Sequence, residues 1–167
     1  MQLTYDLGQI LTQEECDDLA LEILAEQSRG ALRIETDTRY YRNSYGGITP
    51  GAWETLKKFT PLIVNTLGKE VKMENPYCRV YNNTSTLNEH VDRPGLDWTL
   101  SICLFSNIET DWRLHVRVNE NEVQSFPTEV GKAALVRGGT LPHWRDPLSC
   151  GDDQYVVMMF LHWSDPV

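Results

Sequence analysis

Apolar residues recur at helical spacing in two places along the chain. Between Thr12 and about Gln27, the positions Cys16, Leu19, Leu21, Ile23 and Leu24 suit a helix with one buried face. Thr12 followed by Glu15 fits a capping box at its start. A second helix is expected after Pro50-Gly51, with Trp53, Leu56, Phe59, Leu62 and Ile63 turned inward, and Gly68 as its stop. Pro61 is expected to kink or delay it. Beyond residue 70 the pattern changes to short segments rich in β-branched and aromatic residues, separated by Asn, Asp, Gly and Pro. These predict strands over 77–82, 97–105, 112–118, 122–126, 132–137 and 154–163, with EHVD and LPHWRD as two more short ones. Strands gathered after helices predict a mainly β fold, a jelly roll or related barrel with two N-terminal helices packed on one side. Residues 1–70 would be the helical support and 71–167 the barrel core of a single domain.

A chain of 167 residues buries roughly 70% of its unfolded surface around one core. Its formal charge of -9 repels phosphate backbones and anionic lipid, which argues against nucleic acid and membrane partners. The four cysteines, Cys16, Cys78, Cys103 and Cys150, form no CxxC pair; three of them lie in or beside apolar patterns and read as buried thiols, which points to a reducing, cytoplasmic compartment. MQLTYDLGQILTQEE has no basic or long apolar leader, and no apolar run approaches a membrane span. The expectation is a soluble, unprocessed protein of unknown oligomeric state.

Candidate chemistry starts in NEHVDRPG, residues 88–95. On a strand, side chains i and i+2 share a face, so His90 and Asp92 project together while Val91 packs away. Alone the pair is weak evidence, and a polar strand end explains it as well. His143 in GGTLPHWRDPL is the third candidate, 53 residues on from His90 and after enough strand to return beside it. Two imidazoles and one carboxylate leave open positions on a metal, the arrangement of non-heme Fe(II) oxygenases. A closed structural zinc site would want four ligands, and no cysteine spacing offers them.

With these residues the chain resembles the iron(II)- and 2-oxoglutarate-dependent oxygenases, and within them the prolyl 4-hydroxylase-like group of small bacterial and phage members. The resemblance runs from ILTQEECDDL to VVMMFLHW and rests on four pieces: His90-x-Asp92 with His143, Tyr81 in RVYNN, YRNSYGG at 41–47, and GKAALVRGGTLPHWRDPL. It implies a double-stranded β-helix with iron(II) on His90, Asp92 and His143, and 2-oxoglutarate and O2 as cosubstrates. Tyr81 would hydrogen-bond 2-oxoglutarate, Thr99 would add a hydroxyl contact, and the YRNSYGG segment with Arg42 and Tyr45 would lie near the substrate.

The chain departs from the pattern where relatives hold the distal carboxylate of 2-oxoglutarate with a basic residue. Here that region reads CGDDQYVV. A buried carboxylate needs a charged or multiply hydrogen-bonded partner. Arg145, two residues past His143 and on its face, is the first candidate, and His162 the second. Arg79 shares a strand face with Tyr81, so it reaches either the substrate or a salt bridge at the rim. Arg93 beside the HxD could steer an anionic group or stand on an exposed turn. His115 falls with Arg113 and Arg117 on a solvated strand face. The cluster Arg39 to Arg42 reads either as a flap over the site or as an edge strand, and Trp98, Trp112, Trp144 and Trp163 read as packing.

The expected reaction is hydroxylation of a C–H bond in a peptide, a prolyl one among the options, or in a small molecule. Two other readings stay open. A cupin-like metalloenzyme would use the same three ligands without 2-oxoglutarate, and the missing basic residue favours it. A non-catalytic jelly-roll binding module would need no metal.

Overall fold

The computed structural model describes residues 1–35 and 44–167. Strand β1 (Thr4–Gln9) leads into helix α1 (Gln13–Ser28), strands β2 (Arg33–Ile34) and β3 (Tyr45–Gly47), and helix α2 (Pro50–Leu67). Eight strands follow: β4 (Lys72–Tyr81), β5 (Leu87–His90), β6 (Trp98–Ser106), β7 (Leu114–Asn119), β8 (Glu122–Phe126), β9 (Lys132–Val136), β10 (His143–Arg145) and β11 (Val156–Ser164). They form two antiparallel sheets, one of seven strands in the order β1-β9-β6-β11-β4-β3-β2 and one of four in the order β5-β10-β7-β8. This is the expected jelly-roll, double-stranded β-helix architecture.

The large sheet is buried on both faces, which is why β6 and β11 read as almost unbroken apolar runs. Strand alternation splits them. Leu100, Ile102, Met159, Leu161 and Trp163 join the helix-side core, together with Cys78 and Val80 of β4. Their neighbours Thr99, Ser101, Phe160 and His162, with Tyr77, Arg79 and Tyr81 of β4, line the interior cavity. One face of the sheet therefore holds the helices and the other carries the polar residues.

Helix α1 starts with the expected capping box, in which Glu15 N donates to Thr12 Oγ1 at 3.1 Å and Thr12 N donates to Glu15 Oε1 at 3.0 Å. It buries Cys16, Ala20 and Ile23. Leu21, expected inward, is 65% exposed, because the helical period brings Ala20 rather than Leu21 onto the sheet. Helix α2 is capped by Thr49, begins at Pro50 and ends at Gly68, whose φ of 66° favours glycine. Pro61 neither breaks nor delays it. The proline stands on the exposed face, where the Lys57 carbonyl that loses its partner can turn to water. Trp53, also expected inward, is exposed, and Ala52, Leu56, Phe59 and Ile63 form the buried stripe instead. Truncating a fully buried residue such as Ile63 to Ala would cost about 2–5 kcal/mol.

Three strands lie outside the sequence-predicted set. β1 pairs with β9, with Thr4 opposite Val136, and β3 pairs with β4, with Gly46 opposite Arg79. The first 70 residues therefore contribute strands to the barrel, and the division into support and core does not hold. β4 also begins at Lys72, five residues before the expected start. Among the described residues no helix is long and apolar enough to cross a membrane.

Candidate metal centre

His90 ends β5, Asp92 lies just beyond it, and His143 begins β10. The two strands pair with His143 opposite His90 and Arg145 opposite Leu87, so β5 has one residue more than β10 between the pairs. That bulge lets both His90 and Leu87 face the cavity. Asp92 Oδ1 stands 3.5 Å from His90 Nε2 and 3.4 Å from His143 Nε2, and the three donor atoms lie within 4.8 Å of one another. Donors about 2.1 Å from a shared ion at right angles would be about 3 Å apart, so a small closure completes the set.

Each donor is oriented from behind. His90 Nδ1 pairs with Asn88 O and His143 Nδ1 with Leu141 O, both at 2.8 Å. A carbonyl only accepts, so both Nδ1 atoms carry a proton, and each Nε2 faces Asp92 Oδ1, where its lone pair becomes available to an ion that displaces the Nε2 hydrogen. Thr99 Oγ1 donates to Asp92 Oδ2 at 2.6 Å, leaving Oδ1 toward the imidazoles. Asp92 N donates to Gly138 O at 2.8 Å. A Cβ on Gly138 would stand 2.2 Å from Asp92 Oδ2, and one on Gly139 2.7 Å from Leu96 O. The Gly138-Gly139 pair thus gives the HxD loop its seat. The sequence signal for this was the GG dipeptide before His143, whose close approach to Asp92 is visible only in three dimensions.

Burial opposes a charge on Asp92, but hydrogen bonds from His143, His90 and Thr99 outweigh it and hold the carboxyl well below the usual range. Burial likewise opposes a charge on His143, and the Asp92 carboxylate reverses it, raising that imidazole. His162 has no such partner close by: burial lowers it, and its Nδ1 pairs with Asn75 O at 2.8 Å.

The three donors open on a cavity of about 390 Å³. Of the sequence candidates, Tyr81, Thr99, Arg79, Arg93 and His162 line it. Tyr81 is fully buried and meets Trp112 edge to face, with centroids 4.9 Å apart. Tyr45, a substrate candidate, pairs with Val80 and packs with it against the helix-side core, so it does not face the cavity. Arg42 lies outside the described residues, as do Arg39, Tyr40 and Tyr41. Arg145 is 3% exposed and lines a small void beside the cavity, the two sharing Ser101 and Leu114. Its Nη1 donates to Thr128 Oγ1 at 2.6 Å, and its guanidinium stacks 4.8 Å over Trp112. Its buried Nε has no hydrogen-bond partner, and no acidic side chain pairs with it among the described residues. Glu35, Tyr77 and Arg33 also line the cavity, and sequence reasoning had assigned them no role. His115 lies on the outer face of the small sheet, as expected, between Ser125 and Asp146 and against Trp144.

No family model and no curated protein matches the chain. Solved structures do. A prolyl-4-hydroxylase from Pseudomonas putida superposes with a TM-score of 0.74 at 14% identity, covering 98% of this chain and 93% of that one. The viral collagen prolyl hydroxylase of Paramecium bursaria Chlorella virus-1, in complex with 2-oxoglutarate, gives 0.70 at 16%, with 98% and 97% covered. The non-heme α-ketoglutarate-dependent epimerase SnoN of nogalamycin biosynthesis gives 0.77 at 8%, with 97% and 78% covered. At such identities the likeness is one of fold. The chain has the double-stranded β-helix fold of the prolyl-4-hydroxylase-like 2-oxoglutarate and iron(II) oxygenases.

Proposed function

We propose that the protein is an iron(II)- and 2-oxoglutarate-dependent oxygenase that hydroxylates a C–H bond of a peptide or small-molecule substrate. The observation that carries this reading is the convergence of His90 Nε2, His143 Nε2 and Asp92 Oδ1 on the wall of a cavity between the two sheets, in a fold shared with such enzymes. The donor set suits iron(II): two imidazoles and one carboxylate, with no fourth protein ligand in the cluster among the described residues. An ion held there would supply the oxidation of the C–H bond by O2, coupled to decarboxylation of 2-oxoglutarate to succinate and carbon dioxide.

The chain's own residues bind, orient and exclude water. Thr99 and Gly138 keep Asp92 in place from the large-sheet side. Leu87, Leu96, Leu114 and Phe160 form the apolar wall around the donors and limit water there. Arg145 with Tyr81 is assigned the distal carboxylate of 2-oxoglutarate. A buried guanidinium without an acidic partner is costly, and an entering carboxylate beside Tyr81 would relieve that cost. His162, kept neutral by burial and with its Nδ1 hydrogen given to Asn75 O, offers only an acceptor at Nε2, which suits a hydroxyl or amide donor rather than a carboxylate. A reducing, cytoplasmic setting accords with four free cysteines.

Anaerobic addition of Fe(II) and 2-oxoglutarate should produce a weak visible charge-transfer band, and Asp92→Ala should abolish it. A cupin-like reaction without 2-oxoglutarate is favoured by the absence of a basic residue in CGDDQYVV, none of which lines the cavity. Oxygen uptake independent of 2-oxoglutarate would select it. The names of the bacterial and viral neighbours support a prolyl peptide as one substrate class.

A further inference from the structure

The cavity wall across from the metal donors has a composition at odds with the acidic chain around it. Arg79 projects from β4 into the interior and is only 2% exposed. Its Nη1 donates to Ser44 Oγ at 3.0 Å and its guanidinium stands 5.0 Å over the Tyr77 ring. Tyr77 in turn donates its hydroxyl to Glu35 Oε1 at 2.5 Å, and burial followed by that carboxylate pushes the phenol up to about 12, so it stays a donor. Arg79 is thus positioned before any ligand arrives, which lowers the ordering cost of a planar two-point contact. At the mouth two more guanidiniums, Arg33 and Arg93, are exposed, and Arg93 Nη2 donates to Asn75 Oδ1 at 3.2 Å. In a protein of charge -9, three guanidiniums on one cavity, set against the carboxylates of Glu35 and Asp92, favour an anionic ligand there.

Size narrows the class. A cavity of about 390 Å³ is at the small end of the range of roughly 300–1,000 Å³ for ligand sites. A five-carbon cosubstrate takes a share of it. The remainder suits a molecule the size of one amino acid, whose apolar part would lie along Leu96 and Phe160, close to the metal donors.

We infer that the substrate is a small carboxylic acid with a short apolar body, free amino acids included, and that Arg79 recognises its carboxylate. The inference rests on the oxygenase reading above and adds the substrate class to it. A blocked, uncharged peptide segment carries no carboxylate for Arg79 to recognise.

The test uses the Fe(II)-loaded protein with 2-oxoglutarate. The probes are the free proteinogenic L-amino acids and the unbranched acids from propionate to octanoate, each paired with its primary amide, plus a blocked Gly-Pro-Gly peptide. Succinate release and the melting temperature of the anaerobic complex are both read. At least one acid should stimulate release and raise the melting temperature while its amide does neither. Arg79→Gln should raise the concentration of that acid for half-stimulation by about tenfold or more, as expected for loss of a charged hydrogen-bond partner. Arg79→Lys should recover part of the loss. Stimulation by amides or by the blocked peptide as strong as by acids would overturn the inference, as would inactivity of every acid. If Arg79→Gln instead weakens the 2-oxoglutarate charge-transfer band, Arg79 belongs to the cosubstrate and the assignment is wrong. Absence of that band in the unaltered protein defeats the oxygenase reading itself, and the substrate class with it.

Discussion

Gly138 gives Asp92 the space its carboxylate occupies: a side chain at 138 would begin 2.2 Å from Asp92 Oδ2. That distance is far inside contact, so Gly138→Ala must displace the carboxylate or the strand behind it. The expected outcome is a loss of about 10–100-fold in Fe(II) or Mn(II) affinity by calorimetry, the range typical of damage behind a metal ligand. Unchanged affinity would mean that Asp92 does not ligate as placed.

Thr99 offers a gentler version of the same experiment. Thr99→Val keeps the shape and removes the 2.6 Å hydrogen bond to Asp92 Oδ2. Metal affinity should again fall by about tenfold or more, with Thr99→Ser close to the unaltered protein. A valine variant that binds metal normally would reduce Thr99 to packing.

Arg145 separates stability from function. Its guanidinium is buried, touches Thr128 and Trp112, and has no acidic partner among the described residues. Replacing a poorly compensated buried charge by an apolar side chain is neutral or stabilising. Arg145→Met should therefore leave the melting temperature of the ligand-free protein equal or higher. The added stability that 2-oxoglutarate confers on the Fe(II) form should largely vanish. Retained 2-oxoglutarate stabilisation would send the distal carboxylate to another residue.

The two helices are tied at the surface by Lys58 and Glu15, whose hydrogen bond, with that to Thr12, lowers the Glu15 carboxyl from 4.5 to about 2. A carboxyl depressed on folding adds stability above its unfolded value and loses it as pH falls through the folded one. This contribution is complete above about pH 4.5 and gone below about pH 2. Glu15→Gln should flatten that part of the stability profile, measured by urea unfolding across the window. Both groups are solvent-accessible, so the effect should shrink in high salt.

The cluster of His90, Asp92 and His143 was legible in the sequence because its geometry is local: His90 and Asp92 lie two residues apart at a strand end, and His143 sits in a short strand of its own. Arg145 was expected on the face of His143; it lies beside the cavity, in a small void that shares Ser101 and Leu114 with it. What depends on distant approach was not legible. Glu35 meets Tyr77 across 42 positions, and no spacing rule connects them. The β1 segment TYDLGQ alternates too weakly to read as a strand, yet β9 pairs with it. Tyr45 was read by motif, whereas its strand partner Val80 decides which way it points. Leu21 and Trp53 were read by hydrophobicity, where a small Ala20 or Ala52 fits closer to the sheet.

The three donors all come from the small sheet and the loop leaving it, while the hydroxyl that steadies Asp92 comes from β6 in the large one. An ion seated there acts as a rivet through two plates. Stripping it would loosen this end of the barrel first, with the helix-covered side staying shut, so amide exchange should quicken around β5 and β10 long before it does in β11.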